Sequence, residues 1–303
     1  MTVILSVFLS DILPIFVIAG VGYMLARHLQ AKVQTLAHVA FYAMIPCFVF
    51  RLLTTSKISG PEAGRMALLA VLVMLVMGLL ARLAAIPLGL GRAELSGFLL
   101  VVMFSNGGNY GLPVVLFAFG NEALAHATVF FVASSLLTYT VGVFLAAAGR
   151  RSVSQALLGV TKMPAIYGVA ASALVTWTGT SIPLAVMRPV ELLANAAIPV
   201  MILVLGMQLE RATKPERLND VATAVGLSLV AAPVVALGLT SILGITGTAR
   251  QAGVVLASMP TAVITTILAL EFDLSPSFVT NVVFLTTVLS PLTLAPLIAY
   301  LMR

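Results

Sequence analysis

An all-α membrane protein of about ten transmembrane helices is predicted, in two inverted five-helix repeats with two broken, crossing helices. Three features carry that prediction: the composition, the row of apolar stretches, and an echo between the two halves. Of the 303 residues 61% are hydrophobic and only 9% charged, and the mean hydropathy is +1.14, whereas soluble domains carry roughly 25% charged residues. At about 20 residues per crossing, the chain has room for roughly ten spans joined by short loops. The single Cys47 has no partner for an intrachain disulfide, and no Cys/His cluster suggests a metal, so no cofactor is expected.

The first span, near 5–26, follows Met1-Thr2-Val3-Ile4-Leu5, which lacks a positive start, and its apolar run continues through Leu25. A retained span is therefore expected rather than a cleaved signal peptide. Charges and turn residues bound further spans near 33–53, 64–88, 94–119, 122–147, 160–179, 186–209, 219–244, 250–271 and 276–302. Loops on the odd-numbered side hold ten of the sixteen Lys and Arg residues: Arg27, Lys32, Arg82, Arg92, Arg150, Arg151, Lys162, Arg211, Lys214 and Arg217. The even side holds six: Arg51, Lys57, Arg65, Arg188, Arg250 and Arg303. Positive loops stay cytoplasmic, which orients both termini outward and puts a short linker, 150–159, inside.

The halves echo one another. Tyr42-Ala43-Met44-Ile45-Pro46 reappears 153 positions later as Asn195-Ala196-Ala197-Ile198-Pro199. The same shift superposes Phe104-Ser105-Asn106 on Ala257-Ser258-Met259, Phe119 on Phe272, and Val129-Phe130-Phe131 on Val282-Val283-Phe284. Span one aligns with span six at a shift of 150, Leu13-Pro14 on Met163-Pro164. With an odd number of spans in each half, 1–149 and 160–303, the two must sit inverted in the membrane, as in many secondary transporters.

Span four contains Ser105-Asn106-Gly107-Gly108-Asn109-Tyr110-Gly111-Leu112-Pro113. Glycines relax the backbone and Pro113 withholds a donor from Asn109, so the helix is expected to break, with Pro113 in the first turn of a new half-helix. In span nine, Ser258-Met259-Pro260-Thr261 puts Pro260 at the corresponding depth and frees the carbonyl of Leu256, and Pro260, like Pro113, is expected in the first turn of a new half-helix. Two half-helices then aim their N-terminal amides at a common centre. With the amides of Asn106 and Asn109, and with Gly107, Gly108, Ser258, Pro260 and Thr261 around it, that centre suits an anion such as a carboxylate. Close packing at Gly107-x-x-x-Gly111 is the competing explanation, but it leaves the asparagines and Pro260 without a role. Pro46 and Pro199 are expected to kink spans two and seven. Asn195 has two open roles, facing a cavity or repairing the defect made by Pro199. Tyr110 either covers substrate or bonds a neighbouring helix, and Thr261, Thr265 and Thr266 either line the cavity or bond their own backbone.

The carboxylates fall at span ends or in loops, apart from Asp11 in the outer part of span one, so an intramembrane proton relay lacks its acids. His38 and His126 read as interfacial. An enzyme is not expected, because Gly-x-Ser-x-Gly, His-Glu-x-x-His and paired aspartates are all missing. The net charge of +6 resides in loops without aromatic interleaving, so nucleic acid is not an expected partner.

With its five-plus-five arrangement, the Ser-Asn-Gly-Gly-Asn-Tyr-Gly-Leu-Pro break, the Ala-Met-Ile-Pro of span two and the later Ser-Met-Pro-Thr, the sequence resembles the auxin efflux carrier family. It is most similar to the short bacterial members often called malonate or malate permeases. The resemblance implies an elevator-like carrier of organic anions in the bacterial inner membrane, with spans three to five and eight to ten mobile and spans one, two, six and seven as scaffold. The family's crossover asparagine maps onto Asn106 and its second-repeat proline onto Pro260. Plant members place a proline soon after that asparagine, where this chain has Gly107-Gly108, and the long plant loop is absent. The expected partners are thus a small organic anion and lipid, with a homodimer left open. A sodium-coupled symporter or sodium/proton exchanger of similar fold is the alternative, with Ser258, Thr261 and unwound carbonyls as cation ligands.

Overall fold

A computed structural model describes residues 2–56, 58–147, 163–210 and 217–303. The predicted linker 150–159, with Arg150, Arg151 and Lys162, and the loop charges Lys57, Arg211 and Lys214 lie outside the described residues. What is described is helical; the only β feature among these residues is one isolated bridge. Among the described residues seven helices are long and apolar enough to cross a membrane: α1 (Val3–Leu29), α2 (Val33–Thr55), α3 (Gly60–Ala84), α5 (Gly107–Ala146), α7 (Leu184–Leu209), α8 (Leu218–Ile242) and α11 (Pro276–Leu301). Between them lie α4 (Arg92–Met103), α6 (Pro164–Thr178), α9 (Gly247–Ala257) and α10 (Ile264–Phe272), of 12, 15, 11 and 9 residues. Each of these four is shorter than the roughly 20 residues a crossing needs.

Local chemistry sets the ends. Ser59 and Glu62 form a reciprocal capping box at the start of α3, with the Ser59 N–H donating to Glu62 Oε2 at 2.9 Å. Glu94 likewise accepts from the Gly91 N–H at 2.8 Å ahead of α4. Gly120, at φ 76°, turns the chain inside α5, a backbone conformation that glycine adopts without strain.

Prolines inside the spans follow a pattern. Wide, π-type turns occupy Phe8–Ile12, Ala40–Met44, Gly107–Gly111 and Leu227–Ala231. Each of these ends two residues before a proline, Pro14, Pro46, Pro113 and Pro233, whereas a fifth such turn, Thr138–Gly142, has no proline behind it. Widening the turn relieves the clash of the ring with the preceding carbonyls and absorbs the missing donor. This corrects one expectation. The new half-helix does not begin at Pro113; it begins at Gly107, because the wide turn carries the helix through the proline. That of span nine begins at Ile264, so Pro260 lies in the extended break and not in a first helical turn. Pro199 sits within the uninterrupted α7.

Two sets of helices pack tightly. In one, α1 lies on α7, α6 on α2 and α7 on α2. Their backbones touch through glycine: a Cβ at Gly206 would lie 1.7 Å from the Ala19 carbonyl oxygen, at Gly22 2.1 Å from that of Leu203, and at Gly168 2.5 Å from that of Pro46. Small residues at helix contacts serve this close approach in membranes. In the other set, α3, α4, α5, α8, α9, α10 and α11 pack on one another.

Candidate functional site

Helix α4 stops at Met103, and Phe104 is extended, at φ −115° and ψ 111°. On the other side α9 stops at Ala257 and α10 starts at Ile264. The two unwound stretches pair in antiparallel sense, Ser105 opposite Thr261. The Asn106 N–H donates to the Pro260 carbonyl at 2.7 Å, and the Ala262 N–H to that of Phe104 at 2.8 Å. Ser105 Oγ donates at 2.9 Å to Leu256 O, the carbonyl that Pro260 was predicted to free, and Thr261 Oγ1 donates at 2.7 Å to Val101 O. The Thr261 N–H reaches Thr286 Oγ1 at 3.2 Å. Each break therefore satisfies the other's backbone, which chain buried at membrane depth requires.

A cavity of about 360 Å³ adjoins this pairing. Asn106, Gly107, Gly108 and Asn109 border it from one helix start, and Ala262, Val263 and Ile264 from the other. First-turn amides of a helix have no partner within it, and both starts carry partial positive charge. Asn109 Nδ2 donates to Gln208 Oε1 of α7 at 3.4 Å. Asn106 is 5% exposed and its Nδ2 is buried without a hydrogen-bond partner. Most of the remaining wall is apolar or aromatic, including Phe41, Ile45, Phe131, Tyr139 and Val204.

Other predicted residues stand elsewhere. Tyr110 is fully buried, accepts from Ser290 Oγ at 3.2 Å and meets the Phe16 ring edge-on at 5.9 Å, so it bonds a neighbouring helix. Ser258 and Pro260 are buried, and Ser258 Oγ donates to Val254 O of its own helix at 2.7 Å. Pro113 is buried in α5 and Pro46 half-buried in α2. Asn195 and Pro199 border a second, larger cavity of about 1020 Å³, at the opposite ends of α2 and α7. There Asn195 Oδ1 accepts from Arg51 Nη1. Arg51 was missed as a site residue; its signal in the sequence is a cation within an apolar span. Asp11 is buried yet borders neither cavity.

The 153-residue shift relates the two cavities. His38, Phe41, Tyr42 and Ile45 of the first correspond to Glu191, Ala194, Asn195 and Ile198 of the second. In the reverse sense, Val204 and Gln208 correspond to Arg51 and Thr55.

Residues 150–298 match the family described as Membrane transport protein. An uncharacterized transporter of Methanothermobacter thermautotrophicus is 26% identical over 289 residues, covering 93% of this chain and 94% of the relative. An uncharacterized transporter of Methanocaldococcus jannaschii is 26% identical over 299 residues, covering 94% and 96%. With transporter relatives matched along nearly their whole length, a membrane-transport match over its second half and apolar helices of spanning length, the chain is an integral membrane transport protein and not an enzyme.

Proposed function

We propose that the protein is a secondary carrier of small organic anions, malonate being the representative, and that it works by alternating access. The observation that carries this reading is the unpartnered Nδ2 of Asn106 beside a cavity on which two helix starts converge. A buried donor left unmade costs about 1–3 kcal/mol, so it calls for an acceptor that arrives with the cargo. A carboxylate fits, because amide donors and helix N-termini stabilise negative charge without a fixed cation, and neither Lys nor Arg borders this cavity among the described residues.

The ten-span reading counts α4 with 107–119, and α9 with α10, as one broken span each, and 121–146 as a span of its own. Contacts between ends support it: Arg217 pairs with Glu94 across two odd-side ends, and Thr248 Oγ1 donates to Glu122 Oε1 at 2.9 Å across two even-side ends. The related linings of the two cavities support inverted repeats over 1–149 and 160–303. In this reading α1, α2, α6 and α7 form the scaffold, and the other set moves against it as an elevator in the bacterial inner membrane. Both termini face outward. In a Cys47→Ser background, an impermeant thiol reagent on whole cells is expected to label cysteines introduced at the ends and to spare Ser152→Cys; the reverse pattern overturns the topology.

Counterflow of labelled malonate in proteoliposomes is the direct test, and its absence for malonate and related carboxylates alike rejects the reading. Sodium coupling is the second reading: a void of about 20 Å³, room for about one water, has Ser105, Ser228 and Thr261 on an otherwise apolar wall at the breaks, and Ser258 does not border it. Running the assay with and without sodium decides between them. Because Asp11 borders neither cavity, Asp11→Asn is expected to leave any substrate-driven proton flux unchanged, measured well above the substrate's pKa values. Loss of a stoichiometric flux in that variant would make Asp11 the coupling acid.

A further inference from the structure

The larger cavity holds a charge that the proposed mechanism does not use. Arg51 lies within the span Val33–Thr55, and among the described residues it makes no ion pair; its side-chain partner there is the neutral Asn195 Oδ1. A guanidinium cannot shed its proton, and a cation inside a membrane span is costly unless an anion answers it. One of its five donors is engaged by Asn195, which leaves the rest of a planar fork on the cavity wall. Three carboxylates border the same cavity. Glu62 is held by the Ser59 cap, Glu122 by Thr248, and Glu191 precedes Asn195 by one helical turn. Among the described residues Arg51 is the only Lys or Arg on this wall, so an anion that enters the cavity can pair with a fixed cation only there. His126, buried with Nδ1 unpartnered, also borders this cavity. The related cavity has Val204 where this one has Arg51, and Tyr42 where it has Asn195, so the cation belongs to one mouth alone.

We propose that Arg51, oriented by Asn195, is a carboxylate-capture site in the larger cavity, holding the organic anion on the side opposite the paired breaks before or after it visits Asn106. The proposal rests on the organic-anion reading above, but its test reads the cavity's charge directly. Thr55 borders the cavity one turn beyond Arg51, so a Thr55→Cys thiol in a Cys47→Ser background reports the local potential. In proteoliposomes of the full chain, its reaction rates with a sulfonate-bearing and a trimethylammonium-bearing methanethiosulfonate are compared. Arg51→Gln is expected to lower the anionic-to-cationic rate ratio by about tenfold and to abolish protection by malonate against the anionic reagent. Arg51→Lys is expected to keep the ratio but lose most of the protection, since an ammonium lacks the fork. A ratio that Arg51→Gln leaves unchanged overturns the proposal. In the same background Asn106→Ala is expected to stop malonate counterflow while the ratio and the protection persist. Failure of counterflow in the parent, with ratio and protection intact, would reject the carrier reading and leave the capture site standing.

Discussion

Replacing Asn106 with alanine is expected to weaken malonate binding by about tenfold or more and to stop counterflow at concentrations that saturate the parent. A hydrogen bond to a charged group contributes about 1.5–3 kcal/mol, and tenfold in affinity is about 1.4 kcal/mol. The variant isolates the side chain, because the Asn106 N–H that pairs with the Pro260 carbonyl at 2.7 Å is backbone and survives the change. Removing the side chain also removes a buried, unpartnered donor, which offsets part of the packing lost on truncating a buried side chain. Asn106→Asp adds discrimination: a carboxylate facing the cargo repels it, and binding should fall further than in the alanine variant. Equal malonate affinity in parent and Asn106→Ala, both monodisperse in detergent, would remove Asn106 from the site.

Gly206→Ala is expected to cost about 3 kcal/mol or more of stability and to deplete the folded protein, while Gly20→Ala leaves it unchanged. The added methyl at position 206 would stand 1.7 Å from the Ala19 carbonyl oxygen, and a backbone atom inside a helix cannot rotate away. At Gly20, one residue further along the same facing helix, an added Cβ meets nothing within 4 Å. The pair therefore separates steric exclusion from helix propensity, since alanine is the better helix former at both positions. Thermal midpoints in detergent provide the comparison. Coincident curves for the two variants would mean that α1 and α7 do not approach at these residues.

Several features are legible along the chain because their causes lie within a few residues. Fifteen prolines and twenty-three glycines in an apolar background announce where helices yield, and Ser105 through Pro113 marks a break from composition alone. Pro260 freeing the Leu256 carbonyl is such a local inference, and that carbonyl does take an outside donor. The restart at Gly107 is not legible in the same way. A proline forbids one hydrogen bond, yet whether the helix ends or widens into a π turn depends on the energy of the packing around it.

Partners far apart in the chain belong to the tertiary structure. That Ser105 serves Leu256 and Thr261 serves Val101 follows from two breaks meeting across more than 150 positions, and no local propensity encodes which carbonyl will be near. Tyr110 and Asn106 stand four residues apart in one break, yet one is sealed against Ser290 and Phe16 while the other borders the cavity. Helix orientation, set by neighbours packed on every side, makes that choice. The chain's repeat predicted two corresponding halves; the fold separated Asn195 from Asn106 into different cavities and exposed Arg51 beside it. Hydrophobic patterning tells which residues enter the membrane, because transfer from water is a property of each side chain. Which polar groups face a cavity is a property of the packed assembly, because it depends on where neighbouring helices leave space.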